Sequence, residues 1–120
     1  MQVRKMGEIL KEQVISSLFT SDEVTRQTLA PDSSDFNASI VEFGKGVRNK
    51  FHHHGSDQIL IVTEGKGKVV TASGDEAVVS MGDVIFAPAG ESHWHGALDD
   101  STFAHITVTR KGSETVQTED

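Results

Sequence analysis

The chain contains no cysteine and no tyrosine among its 120 residues, with two prolines and one tryptophan. Without cysteine there is no disulfide, no thiolate metal ligand and no sulfur nucleophile. Without tyrosine, any mechanism that needs a phenolic base is closed to it. Apolar runs never exceed a few residues, so no helix of this sequence spans a bilayer. The N-terminus lacks the apolar stretch of a secretory signal, and a cytoplasmic location is expected. Positive charge is scarce as well: 11 Lys+Arg stand against 18 Asp+Glu, a formal net charge of −7. Residues 1–54 hold seven basic and seven acidic side chains, whereas 55–109 hold two and eight, so the deficit lies in the second half. A chain with this balance and no basic run cannot neutralise many phosphates, which excludes nucleic acid and anionic membrane and leaves a small molecule as the expected partner. At this length one compact core is the limit, hence one domain.

What is present reads as strands and turns. Eleven glycines separate short stretches rich in Val, Ile, Thr and Phe: Phe36–Phe43, Gln58–Thr63, Gly67–Ala72, Ala77–Met81, Asp83–Ala87 and Thr102–Thr109. Such residues suit a pleated surface, and the Glu64-Gly65, Ser73-Gly74-Asp75 and Met81-Gly82-Asp83 runs between them suit turns. Strands at this spacing without intervening helices predict an all-β sandwich or barrel. Ile9, Leu10, Val14 and Leu18 fit a helical stripe, while Val14, Ile15, Leu18 and Phe19 equally fit a strand lying on the barrel. Phe36, Phe43, Phe51, Phe86 and Phe103 are expected mostly in the core. The expected organisation is an N-terminal extension over 1–35, a barrel over 36–111 and a frayed acidic tail over 112–120.

Six histidines fall into three groups: His52, His53 and His54; His93 and His95; and His105. Side chains alternate along a strand, so His52 and His54 share one face while His53 takes the other. The same parity joins His93 to His95, with Trp94 opposite, and joins Phe103, His105 and Thr107. Two imidazoles two residues apart can converge on one ion, or stand in a solvated loop. Gly55 allows a turn, after which Gln58 can return its amide oxygen toward the pair. A third imidazole must come from a distant segment. Arg48 and Lys50 alternate with His52 and His54 and are expected mainly as solvated charges, the other reading being cations in a barrel mouth.

The stretch Gly46–Gly65 (GVRNKFHHHGSDQILIVTEG) resembles the first cupin motif, and Gly82–His93 (GDVIFAPAGESH) resembles the second. Two positions depart from the pattern: Gln58 stands where Glu is usual, and Ala97 where Asn is usual. The resemblance implies a single conserved β-barrel of the double-stranded β-helix, jelly-roll type. Beyond the motifs, HxHxxxQ, QILIVTEGKG, PAGESHWHGA and FAHITV resemble small manganese-binding cupins with hydroxynitrile lyase activity, and equally the cupins associated with carboxymuconolactone decarboxylases. That likeness implies a metal set of His52, His54, Gln58 and His93, with His95 and His105 as catalytic groups in the pocket. It also implies a divalent transition-metal ion, manganese first, with Fe, Ni, Co or Zn as alternatives. Because Gln58 is neutral, it leaves the ion's formal charge at +2 where a carboxylate would reduce it.

The implied activity is a metal-dependent lyase acting on a small hydroxy or carbonyl compound. The alternatives are a non-haem dioxygenase of the quercetinase type and a non-catalytic small-molecule-binding cupin. A homodimer is expected, from the resemblance and from edge strands that need cover.

Overall fold

The computed structural model describes residues 1–120. A single 3₁₀ turn at Met6–Glu8 precedes ten strands: β1 (Glu12–Gln13), β2 (Val24–Thr28), β3 (Phe36–Phe43), β4 (His52–His54), β5 (Gln58–Thr71), β6 (Glu76–Ser80), β7 (Val84–Ala87), β8 (His93–Ala97), β9 (Phe103–Arg110) and β10 (Thr115–Gln117). All pairings are antiparallel, and the order runs β1-β2-β3-β9-β5-β8-β4-β10, with β6 and β7 also on β5. This is the all-β, jelly-roll type of curled sheet that the sequence predicts. No helix is long and apolar enough to cross a membrane.

β5 links the two layers. Its first half pairs with β9 and β7, and its second half with β8 and β6. The sequence suggested two strands here, separated by a turn at Glu64-Gly65. Instead the strand continues through an irregularity between Val62 and Glu64. Gly65 makes the corner possible: its φ is +71°, and a Cβ there would collide with the Thr102 carbonyl oxygen. Glycine adopts that φ without steric cost and leaves room for the neighbouring backbone.

Both ends of the chain join the sheet. The N-terminal segment takes the strand alternative: Val14 is buried, its backbone N–H bonds to the Val24 carbonyl at 2.9 Å, and no α-helix forms. Residues 1–35 therefore supply β1 and β2 rather than a mere covering. The tail is not frayed, because β10 pairs with β4 in the register Thr115↔His54, Val116↔His53 and Gln117↔His52. Glu119 then bonds the Phe51 N–H at 2.9 Å and the Arg48 guanidinium at 3.1 and 2.9 Å. Its acidic composition suggested solvation, but backbone pairing and this bidentate ion pair hold it in place.

The core fills one end of the space between the layers. Phe43 and Phe103, opposite each other on β3 and β9, are fully buried and stacked with centroids 6.0 Å apart. Val14, Val24, Val47, Val62 and Val79 pack around them. Phe36 and Phe86 differ from expectation. They are 57% and 61% exposed, since strand parity turns them to the outer face of the sheet.

Candidate metal centre

The two phenylalanines form a floor, and the imidazoles sit on it. Phe43 lies 5.9 Å from the His95 ring and 5.6 Å from that of His105; Phe103 lies 5.5 Å from His105. His52 on β4 is the register partner of His93 on β8, with ring centroids 4.7 Å apart. Parity carries His54 and His95 to the same side. His54 stands 4.9 Å from His52 and 5.9 Å from His93, and His95 stands 5.7 Å from His93. His105 reaches across from the other layer, its Nε2 3.0 Å from His95 Nδ1. Gln58 bridges the layers too, donating its amide to Thr107 Oγ1 at 2.9 Å and turning Oε1 to His93 Nε2 at 2.9 Å. All six residues singled out from the sequence thus meet at one place, and His53 faces away along β10.

Burial holds these rings neutral. It lowers His52, His54 and His105 to a pKa of about 4, and lowers His93 and, strongly, His95. Repulsion among neighbouring imidazoles adds to the effect at His52, His54 and His95. A neutral imidazole carries one proton, so the partner of one nitrogen decides the state of the other.

His52 Nδ1 donates to the Lys50 carbonyl at 2.7 Å and His93 Nδ1 to that of Glu91 at 2.8 Å. His54 Nδ1 meets Thr115 Oγ1 at 3.0 Å. His52 and His93 therefore direct Nε2 inward as a lone pair; the Thr115 hydroxyl can accept from or donate to His54 Nδ1, and His54 Nε2 is buried without any partner.

The His95 ring is differently committed. Asn49 accepts the His95 backbone N–H at its Oδ1, 2.9 Å away, so its amide nitrogen faces the ring. That nitrogen donates to His95 Nε2 at 3.1 Å. His95 consequently carries its proton on Nδ1 and donates it to His105 Nε2.

The ring nitrogens of His52, His93 and His95 lie within 4.8 Å of one another, which makes them a group of three that could hold a metal ion. The lone-pair inventory adds His54 to the candidates: its Nε2 is free, whereas that of His95 is already occupied by Asn49. The donor set fits a divalent transition metal in a further respect. His93 Nε2 and Gln58 Oε1 face each other 2.9 Å apart with no proton between them, a repulsive contact that a shared cation relieves. Two donors about 2.1 Å from one ion at right angles stand about 3.0 Å apart, the same spacing.

A cavity of about 440 Å³ opens over this cluster, lined by His52, His54, Gln58, His95 and His105 among others. A family model described as a cupin domain matches residues 39–109 of the chain. The protein is a cupin. It is 29% identical over 112 residues to the (R)-mandelonitrile lyase of Granulicella tundricola, covering 92% of this chain and 86% of that one. A cupin-like protein from Thermotoga maritima superposes with a TM-score of 0.80 at 28% identity, covering 98% of this chain and 90% of the other. A polyketide cyclase from Streptomyces resistomycificus shares the fold at a TM-score of 0.86 and 20% identity, with coverage of 98% and 85%.

The cupin frame also reveals residues that sequence reasoning missed. Thr115 and Asn49 orient His54 and His95, yet they sit 61 and 46 positions away with no motif to mark them. Arg26 on β2 enters the cavity lining; only its alternation with Val24 hinted at this. Arg48, weighed as a possible mouth cation, is turned outward, paired with Glu119 and 4.7 Å from the Trp94 ring centroid. Lys50 does not line the cavity.

Proposed function

We propose that this cupin is a metal-dependent lyase acting on a small hydroxy or carbonyl compound, with cyanohydrin cleavage as the reaction to test. The observation that carries the reading is a neutral, hydrogen-bonded imidazole pair, His95 and His105, placed beside inward-facing lone pairs in one cavity. His52, His54 and His93 at Nε2, together with Gln58 at Oε1, are the assigned metal ligands. This donor set suits Mn, Fe, Co, Ni or Zn, and the sequence resemblance favours manganese. When bound, a divalent ion supplies Lewis acidity that favours the deprotonated form of a substrate hydroxyl.

The proton goes to His95 Nε2 once the substrate hydroxyl displaces Asn49 from it. The resulting imidazolium donates Nδ1–H to His105 Nε2, so His105 spreads the positive charge without moving from its place. As the O–H proton leaves, the C=O bond forms and the C–CN bond breaks, its electron pair departing with cyanide. The protonated His95 then returns the proton to cyanide. General acid–base catalysis of this type contributes roughly 10²–10⁴-fold. The relationship to a mandelonitrile lyase supports this reaction class, and activity rests on the site itself.

The test is elemental analysis of purified wild type, His52→Ala and His105→Ala, with anaerobic turnover of racemic mandelonitrile. His52→Ala is expected to lose the metal, and His105→Ala to keep it while losing most turnover. Full metal retention in His52→Ala overturns the ligand assignment; a strict requirement for oxygen overturns the lyase in favour of a dioxygenase. A homodimer is the proposed assembly. Ile59 and Phe86 are register partners on the outer sheet face, next to Ile61 and Val84, and this exposed apolar patch suits contact with a second copy. Light scattering that gives the mass of one chain refutes it.

A further inference from the structure

Formal charge is almost absent from the cavity wall. Among its 19 lining residues Arg26 is the only one that is charged, in a chain whose net charge is −7. Of the four arginines, Arg4 donates to the Thr28 and Leu29 carbonyls, Arg48 pairs with Glu119, and Arg110 donates to the Gly55 carbonyl. The Arg26 side chain, exposed at the edge of the cavity, alone makes neither a hydrogen bond nor an ion pair. Glu12, its register partner on β1, is the carboxylate best placed to neutralise it, yet the two form no ion pair.

The wall around Arg26 is graded. Inward-facing residues of β2, β3 and β9 form successive rows: Val24–Phe43–Phe103, then Arg26–Val41–His105, then Thr28–Ser39–Thr107, then Asn37–Thr109. Beyond the aromatic floor and the imidazole row, the wall consists of hydroxyls and one amide. Arg26 shares a row with His105 two strands away, about 10 Å between Cα atoms at ordinary strand spacing. A guanidinium with five unused donors next to several hydroxyls is suited to a planar carboxylate.

Resting on the lyase reading above, we propose that Arg26 anchors a carboxylate on the substrate. The natural substrate is then an anionic hydroxy or carbonyl compound whose carboxylate lies several bonds from the reacting carbon. Val41 lies between Arg26 and His105 in their row, and the hydroxyls of Thr28, Ser39 and Thr107 form the adjoining row along which such a molecule would lie. Arg26 is a specificity residue and takes no part in proton transfer.

Titration calorimetry with two product-like probes, benzaldehyde and 4-carboxybenzaldehyde, tests the assignment on the protein as purified, its metal content measured alongside. Wild type is expected to bind the carboxylate probe about tenfold or more tightly than the neutral one, and added salt to shrink that ratio. Arg26→Gln is expected to bring the ratio to about one, with benzaldehyde affinity and metal content unchanged. Glu12→Gln, which removes the competing carboxylate, is expected to raise affinity for the charged probe. Equal affinities in wild type, or a preference that survives in Arg26→Gln, overturn the proposal. The binding measurement needs no turnover. Arg26-dependent preference without cyanohydrin cleavage leaves the anchor standing and removes only the lyase.

Discussion

Stripping the metal and lowering the pH is expected to destabilise this protein above the range where its carboxylates titrate. His52 and His105 are 1% and 0% exposed, and both are held neutral in the folded state with a pKa of about 4, against 6.5 for a solvated ring. Above pH 6.5 neither the folded nor the unfolded chain carries the protons, and stability is complete. As the pH falls from 6.5 toward 4, the unfolded chain takes up protons that the folded chain refuses, so folding weakens. Each such histidine costs about 1.4 kcal/mol per pH unit, and the pair about 3 kcal/mol. His93 and His95 act in the same direction, and partly exposed His54 adds a smaller amount after solvent screening. Glu119, lowered to about 2 chiefly by its hydrogen bond from Arg48, loses its contribution only as the pH drops below 4.5 toward 2. The interval between 6.5 and 4.5 therefore reports the histidines. Two pH units remove about 5 kcal/mol, comparable with the whole stability of a marginal domain. Urea unfolding of chelator-treated protein, followed by Trp94 fluorescence from about pH 7.5 to 4.5, measures this, and His105→Gln should reduce the slope by the share of one ring, about a quarter of that from the four buried ones. Unfolding free energies that stay flat between pH 6.5 and 5 refute the buried, neutral cluster.

Three further outcomes follow from particular contacts. Phe43→Ala is expected to cost about 3–5 kcal/mol in denaturant melts and to lower metal retention, because the ring supports both His95 and His105. Thr115→Val removes the hydrogen bond to His54 Nδ1 and is expected to weaken metal affinity about 10–100-fold in competition titrations, with little change in apo stability. Glu119→Gln breaks the charge-assisted contacts to Arg48 and Phe51; amide hydrogen exchange of β10 is expected to speed up more than that of β5.

Local pattern carried the strands and the side each histidine takes. Alternation is a property of the extended backbone, so His52 with His54 and His93 with His95 were legible from spacing alone, as was the face shared by Phe103 and His105. The glycine and proline signals delimited β6 and β7 closely but misread Gly65, because the same residue serves a turn and a corner within one strand. Composition also misled at the tail, where acidic residues 112–120 dock by backbone pairing with β4, a partner about 60 residues away that no local signal identifies.

The sequence by itself determined that this chain is all-β, that it has no sulfur or phenol chemistry, and that four imidazoles lie in two same-face pairs. Only the tertiary structure decided that those pairs face each other, that Asn49 occupies one ring's lone pair while another ring, held by Thr115, keeps an unpartnered nitrogen, and that the Arg26 side chain stands unpaired in the cavity lining. Parity is set by covalent geometry within one strand, whereas register and the spacing between layers are set by packing of residues far apart in the chain.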